Sequence, residues 1–127
     1  MKIYSFILVY LTTLLSFSVN ADELKLSVQS DIPHLEKIYH HLHQTPELSK
    51  LEFKTAKFLA KELRSYGFKV TEGLAKTGLV AILKNGDGPT VMLRADTDAL
   101  PVLEETGLAY ASTATMKNET GKSVPVM

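Results

Sequence analysis

The stretch Arg94-Ala95-Asp96-Thr97-Asp98-Ala99-Leu100-Pro101 gathers an arginine and two aspartates directly after the β-prone run Thr90–Leu93. Charge carried to the C-terminal end of a buried strand lies where α/β sheets place ligand sites. Carboxylates there can orient a histidine or a metal ligand from behind. The plainer alternative is a solvated turn in which Arg94 pairs with Asp96 or Asp98. A second stretch, Leu42-His43-Gln44-Thr45-Pro46-Glu47-Leu48, is a rigid helix exit. His43 there suits a histidine bonded to a backbone carbonyl or a neighbouring acid, a structural role on physical grounds alone. The other histidines, His34, His40 and His41, share the same helical region without a carboxylate placed to complete a metal site, and read as a solvated helix face. No glycine loop opens a helix to cradle phosphate, and no Cys or Ser nucleophile has a partner base.

These residues need elements to position them. Asp31-Ile32-Pro33 predicts a helix start, with Asp31 as cap and proline in the first turn. Residues 22–30 read as a frayed polar lead-in. Ile32, Leu35, Ile38, Tyr39 and Leu42 recur at helical spacing, and Pro46 ends the helix. A capping box, Ser49-Lys50-Leu51-Glu52, predicts a second helix with Ala56, Leu59, Ala60, Leu63 and Tyr66 on its buried stripe. Gly67 falls where a left-handed cap is expected. Phe68–Thr71, Leu79–Leu83 and Thr90–Leu93 predict strands, the last two forming a hairpin around Asn85-Gly86-Asp87-Gly88. From Thr106 onward the chain reads as loop until Val124-Pro125-Val126-Met127 suggests a further element. Two helices followed by strands give an α/β or α+β layer structure. A short protein with a loose C-terminus and a truncated one explain that ending equally well.

The first residues form a unit of their own. Met1-Lys2, the apolar run Ile3–Phe17 and Ser18-Val19-Asn20-Ala21 have the order of a secretory signal peptide, with cleavage expected after Ala21. An uncleaved anchor is the competing reading, although a span needs about 20 apolar residues. The chain holds 14 Lys+Arg and 14 Asp+Glu. Removal of residues 1–21 takes Lys2 and no acid, leaving 13 against 14. No basic excess draws in nucleic acid or anionic lipid. Cysteine is absent, so no disulfide holds the fold.

Taken together, Leu42-His43-Gln44-Thr45-Pro46-Glu47-Leu48-Ser49 with Glu52 and Thr55 resembles the opening signature of the aminoacylase/hippurate-hydrolase-like amidohydrolases, a branch of the dinuclear zinc peptidase superfamily. Gly78–Ala81 and Pro89–Leu93 resemble that family's next two strands. Arg94–Pro101 followed by Glu104–Ser112 resembles its most specific early motif. The likeness runs from about His34 to Met127.

The resemblance implies the N-terminal part of a dinuclear-metal peptidase-like catalytic domain over residues 22–127, with two helices and then strands of a mixed sheet. The full protein is expected to be roughly three times as long, with an inserted dimerisation domain and a homodimeric state. It implies hydrolysis of the amide bond of N-acyl amino acids or similar conjugates, using two divalent ions, zinc or manganese. The first metal ligands are expected in a His-Ala-Cys-Gly-His-Asp motif after Met127, so no metal ligand is expected in this chain. Asp96 matches the aspartate that orients the metal site. Arg94 matches a position where relatives outside the branch keep a metal-binding histidine, and is not a ligand. Asp98, His43 and Glu47 match motif positions with supporting roles. Thr113–Lys122 is read as a surface loop. Export to a periplasm or the extracellular medium follows from the leader, and contact with membrane is expected through it alone. The segment by itself is expected to be inactive. The alternative function is a non-enzymatic remnant or a binding module without a metal site.

Overall fold

The first helix begins much earlier than its proline signal suggests. In the computed structural model, which describes residues 21–127, α1 runs Ala21–Gln44. The apolar leader read as a signal peptide lies outside the described residues apart from Ala21. Asp22 and Glu23 occupy the first turn of α1, where negative charge meets the positive end of the helix dipole. Residues 22–30, expected to be frayed, are therefore helical, and Asp31 does not cap. Pro33 lies inside the helix, where its missing N–H removes one intrahelical hydrogen bond. No helix among the described residues is long and apolar enough to cross a membrane.

The chain divides into two compact units, residues 1–36 and 37–127. The described part of the first is helix alone. Its apolar residues, Leu24, Leu26, Val28, Ile32 and Leu35, are exposed, and Ser30 donates to the Ser27 carbonyl at 2.7 Å. The second unit holds every other element. It opens with the end of α1, where Ile38 and Leu42 are half-buried and Tyr39 is exposed. As expected, the helix stops before Pro46. The Thr45 N–H and hydroxyl both donate to the His41 carbonyl, at 3.1 and 2.7 Å, and close the last turn.

Helix α2 spans Phe53–Ser65 and buries Thr55, Ala56 and Ala60. Leu59 and Leu63 are half-buried and Tyr66 is exposed, so the stripe is narrower than its spacing suggested. The capping box does not form. Glu52 is the N-cap but makes no side-chain cap hydrogen bond, and Lys50 sits at φ 64°. Its carboxylate is taken instead by the Thr77 hydroxyl at 2.6 Å. The other end behaves as expected. Gly67 at φ 83° donates to the Arg64 carbonyl and Phe68 donates to that of Leu63, the paired bonds of a Schellman cap.

Strands β1 (Lys69–Leu74) and β2 (Gly78–Ile82) pair antiparallel, with a register shift between Glu72 and Leu74. The expected partner of β2 was Thr90–Leu93. That stretch forms no strand, and Val91, Met92 and Leu93 are 83%, 84% and 94% exposed. With neither face packed, nothing offsets the cost of ordering a ladder there. The region expected to be loop contains β3 (Thr115–Lys117), paired antiparallel with β4 (Ser123–Pro125) around an Asn118 turn. Asn118 Oδ1 accepts from the N–H groups of Thr120 and Lys122 and from the Thr120 hydroxyl, which closes that turn. The α/β class holds. The mixed sheet does not, since the two sheets are separate antiparallel pairs and the parallel element is an isolated Leu48–Ala99 bridge.

Among the described residues Pro46, Leu48, Ala56, Ala60 and Val126 are buried apolar residues, and Glu47, Glu52, Thr55 and Ser112 are buried polar ones. Packing therefore depends on hydrogen-bonded polar groups as much as on apolar burial. For the α2 cap, Gly67→Ala is expected to lower stability by about 1 kcal/mol, because alanine resists the left-handed backbone. Gly88→Ala, in open space without positive φ, should change it by less than about 0.5 kcal/mol. Chemical denaturation of the two variants checks this, and equal effects would remove the cap from the account.

Candidate functional site

The turn between α1 and α2 is the point from which the site is built. Pro46, Glu47 and Leu48 are all buried. The Glu47 carbonyl accepts the Ala99 N–H at 2.8 Å, and Leu48 bridges Ala99 in parallel. The Glu47 carboxylate accepts the Thr55 N–H at 2.8 Å. Thr55 is in the first turn of α2, so a residue outside the helix satisfies one of its orphan donors. The Leu48 N–H reaches the Met116 thioether at 3.3 Å, which ties β3 to the same turn. Leu100 and Met127 exchange two backbone hydrogen bonds of 2.8 and 3.0 Å.

These ties bring the Asp96–Ala99 segment against the end of α1. A cavity of about 250 Å³ results, with His43, Asp96 and Asp98 on its wall together with Leu42, Leu59 and Met127. Three of the five residues singled out in the sequence thus share one space. Arg94 does not line it. Its guanidinium pairs with Asp96 at 2.5 Å, and both side chains are largely exposed, so the pair adds little stability. Glu47 lies behind the cavity and faces a second one of about 320 Å³, shared with His41, Lys54 and Met116.

His43 has the acidic neighbour its position suggested. Its Nε2 lies 2.9 and 3.0 Å from the two oxygens of Glu104. Glu104 also accepts from the Thr106 hydroxyl and from the Ser112 N–H, the latter at 2.5 Å. Its side chain has no exposed surface. The Thr106 hydroxyl most strongly, then His43 and the Ser112 N–H, hold the carboxyl down to about 2 from an ordinary 4.5 against the opposing effect of burial. Ser112 continues the chain of bonds, its hydroxyl donating to the Val126 carbonyl at 2.7 Å and accepting the Ala114 N–H at 3.2 Å.

Aromatic rings frame this pair. Tyr110 stacks on His40 with centroids 4.1 Å apart and meets His43 edge-on at 5.4 Å, and Tyr39 lies 5.8 Å from His43. Burial, with the nearby Tyr39 and Glu104, pushes the Tyr110 hydroxyl above its usual range. His41 packs on Phe58 at 4.5 Å. The solvated-face reading holds for His41, which stays exposed beside Phe58, and is corrected for His40, which is half-buried against Tyr110. At Glu52, burial raises the carboxyl, but the Thr77 hydroxyl and local backbone donors bring it below the ordinary value.

Glu104 is the residue that spacing alone passed over, because it lies in an exposed-looking loop far from His43 in sequence. It entered the sequence reading only within the motif run Glu104–Ser112, without a role of its own.

The implied divalent ions can be tested against these donors. Among the described residues no three His, Asp or Glu side chains form a group that could hold a metal ion. The His43 Nε2 is taken by Glu104, and Asp96 is held by Arg94. The residues present therefore do not fit a metal centre of their own.

Several known proteins are similar to part of this chain. No protein-family model matches the chain. It is 51% identical over 76 residues to an N-acetyl-L-cysteine deacetylase of Bacillus subtilis, covering 59% of this chain and 18% of that protein. It is 47% identical over 78 residues to a hippurate hydrolase of Campylobacter jejuni, covering 61% and 20%. A thermostable carboxypeptidase of Saccharolobus solfataricus is 40% identical over 93 residues, covering 72% and 24%. These matches fit part of an aminoacylase/hippurate-hydrolase-like amidohydrolase, and the chain spans about a fifth to a quarter of the length of these curated relatives.

The Glu104 cluster makes a prediction about acid. A carboxyl whose folded pKa lies below its unfolded one binds fewer protons in the native state. Its stabilisation is complete above about 4.5 and is lost as pH falls from there towards 2. Denaturation midpoints measured between about pH 6 and about pH 3 should fall more steeply for the wild type than for Glu104→Gln. Parallel curves would show that Glu104 is not linked to folding.

Proposed function

We propose that the protein to which this chain belongs is an exported, metal-dependent amidohydrolase that cleaves the amide bond of N-acyl amino acids or similar conjugates. The observation that carries the reading is the identity, 51% and 47%, to proteins named for deacetylating N-acetyl-L-cysteine and hydrolysing hippurate. The grouping of His43, Asp96 and Asp98 around one cavity supports it. The catalytic domain is of dinuclear-metal peptidase type, the ions are zinc or manganese, and the protein is a homodimer directed out of the cytoplasm by residues 1–21. Divalent ions held by residues beyond this segment would supply Lewis-acid chemistry for amide hydrolysis. Asp96 and Asp98 act behind the ligands, as acceptors that orient them, while the buried Glu47 fixes the segment on which both aspartates ride.

The test begins with the coding sequence beyond Met127. A His-Ala-Cys-Gly-His-Asp motif in frame is expected, and a stop codon with no such motif in any frame would favour a non-enzymatic remnant or binding module. The product of the full reading frame should hydrolyse hippurate and N-acetyl amino acids, lose activity to a chelator and regain it with zinc or manganese. Asp96→Asn should lower kcat/KM by about 10–100-fold. Full activity in the presence of chelator would defeat the proposal.

A further inference from the structure

The bonds around Glu104 fix more than the fold. The Ser112 backbone N–H can only donate, and it reaches one carboxylate oxygen, while the Thr106 hydroxyl donates to the other. His43 Nε2 lies within hydrogen-bond distance of both. With both oxygens already accepting, the proton between imidazole and carboxylate belongs to the imidazole. A neutral ring protonated at Nε2 carries its lone pair at Nδ1. Among the described residues every buried side-chain nitrogen or oxygen has a hydrogen-bond partner, whereas the bonds of His43 run through Nε2 alone. Nδ1 is therefore open to a visitor, on a side chain that is 22% exposed and lines the cavity. Tyr39 and Tyr110 restrict the ring plane from two sides.

We infer that Glu104 is a positioning residue that holds His43 with Nε2 protonated, leaving Nδ1 to accept the amide N–H of an N-acyl amino acid in the cavity shared with Asp96 and Asp98. The identity of the ligand rests on the proposed function. The amide N–H is the donor that all simple N-acyl amino acids share at neutral pH. A ring nitrogen lone pair takes it without adding negative charge beside the substrate's own carboxylate. Asp96 and Asp98 would add that charge, and Arg94 already engages Asp96.

The discriminating variant in the full-length protein is His43→Gln. Glutamine can place an amide donor where Nε2 meets Glu104, but it has no acceptor at the Nδ1 position. A merely structural role predicts wild-type behaviour. The inference predicts an unchanged Tm and a KM for hippurate raised about tenfold with kcat changed less than about twofold, as for one lost hydrogen bond of about 1.4 kcal/mol. In ¹⁵N-histidine-labelled protein, one slowly exchanging imidazole N–H resonance should be present in the wild type and absent from Glu104→Ala. An active enzyme whose KM is unmoved by His43→Gln overturns the substrate contact. A resonance that survives Glu104→Ala overturns the positioning role. A wild-type protein with no hydrolytic activity on any N-acyl amino acid is a different failure, that of the proposed function, and it removes the substrate contact with it while the resonance still decides the role of Glu104.

Discussion

A carboxylate shielded from solvent must receive donors or lose its charge, and Glu104 receives them from three separate parts of the chain. His43 comes from the end of α1, Thr106 from its own loop, and Ser112 from the approach to β3. Each donor is fixed by the same acceptor, so the three segments cannot move independently. Ser112 passes the constraint on through its hydroxyl to Val126. Val126 is 1% exposed, and Met127 beside it is paired with Leu100. The cavity wall is thereby set by a chain of hydrogen bonds that begins at one buried charge.

The same device recurs at smaller scale. Glu47 supplies a helix donor's partner through its side chain and holds Ala99 through its backbone. Glu52 joins the start of α2 to the β1–β2 turn through Thr77. With few fully buried apolar side chains in the described residues, these three glutamates carry much of the long-range organisation. Buried polar networks of this kind specify one arrangement when satisfied and are costly when a partner is lost. That cost explains why the polar groups here are so completely paired.

Much of this was legible in the sequence where the signal is local. Gly67 and Pro46 act through the backbone of a few residues, and the structure follows them, while the α2 stripe is fully buried only at Ala56 and Ala60. Signals that compete were misread. Pro33 can start a helix or sit within one, and the acidic first turn at Asp22 and Glu23 decided the matter. Ser49 and Glu52 have capping-box spacing, but Thr77, distant in sequence, offers Glu52 a better-placed hydroxyl. Thr90–Leu93 has strand composition, yet composition does not provide a neighbour to pair with. Of the site, His43, Asp96 and Asp98 were readable from motif likeness, and their meeting around one cavity was not. Glu104 stayed hidden because its importance comes from donors gathered across the fold, and no short-range pattern records that.

The bond between His43 and Glu104 joins residues 61 positions apart. Loops of that length close late, since the entropy lost in bringing their ends together is recovered only once the contact exists. The Schellman-capped α2 and the β1–β2 hairpin, built from neighbours, can form quickly and on their own terms. The cavity cannot. Its walls come into being together, when the glutamate finds its histidine, so the site is a product of the last ordering step rather than of the elements that line it.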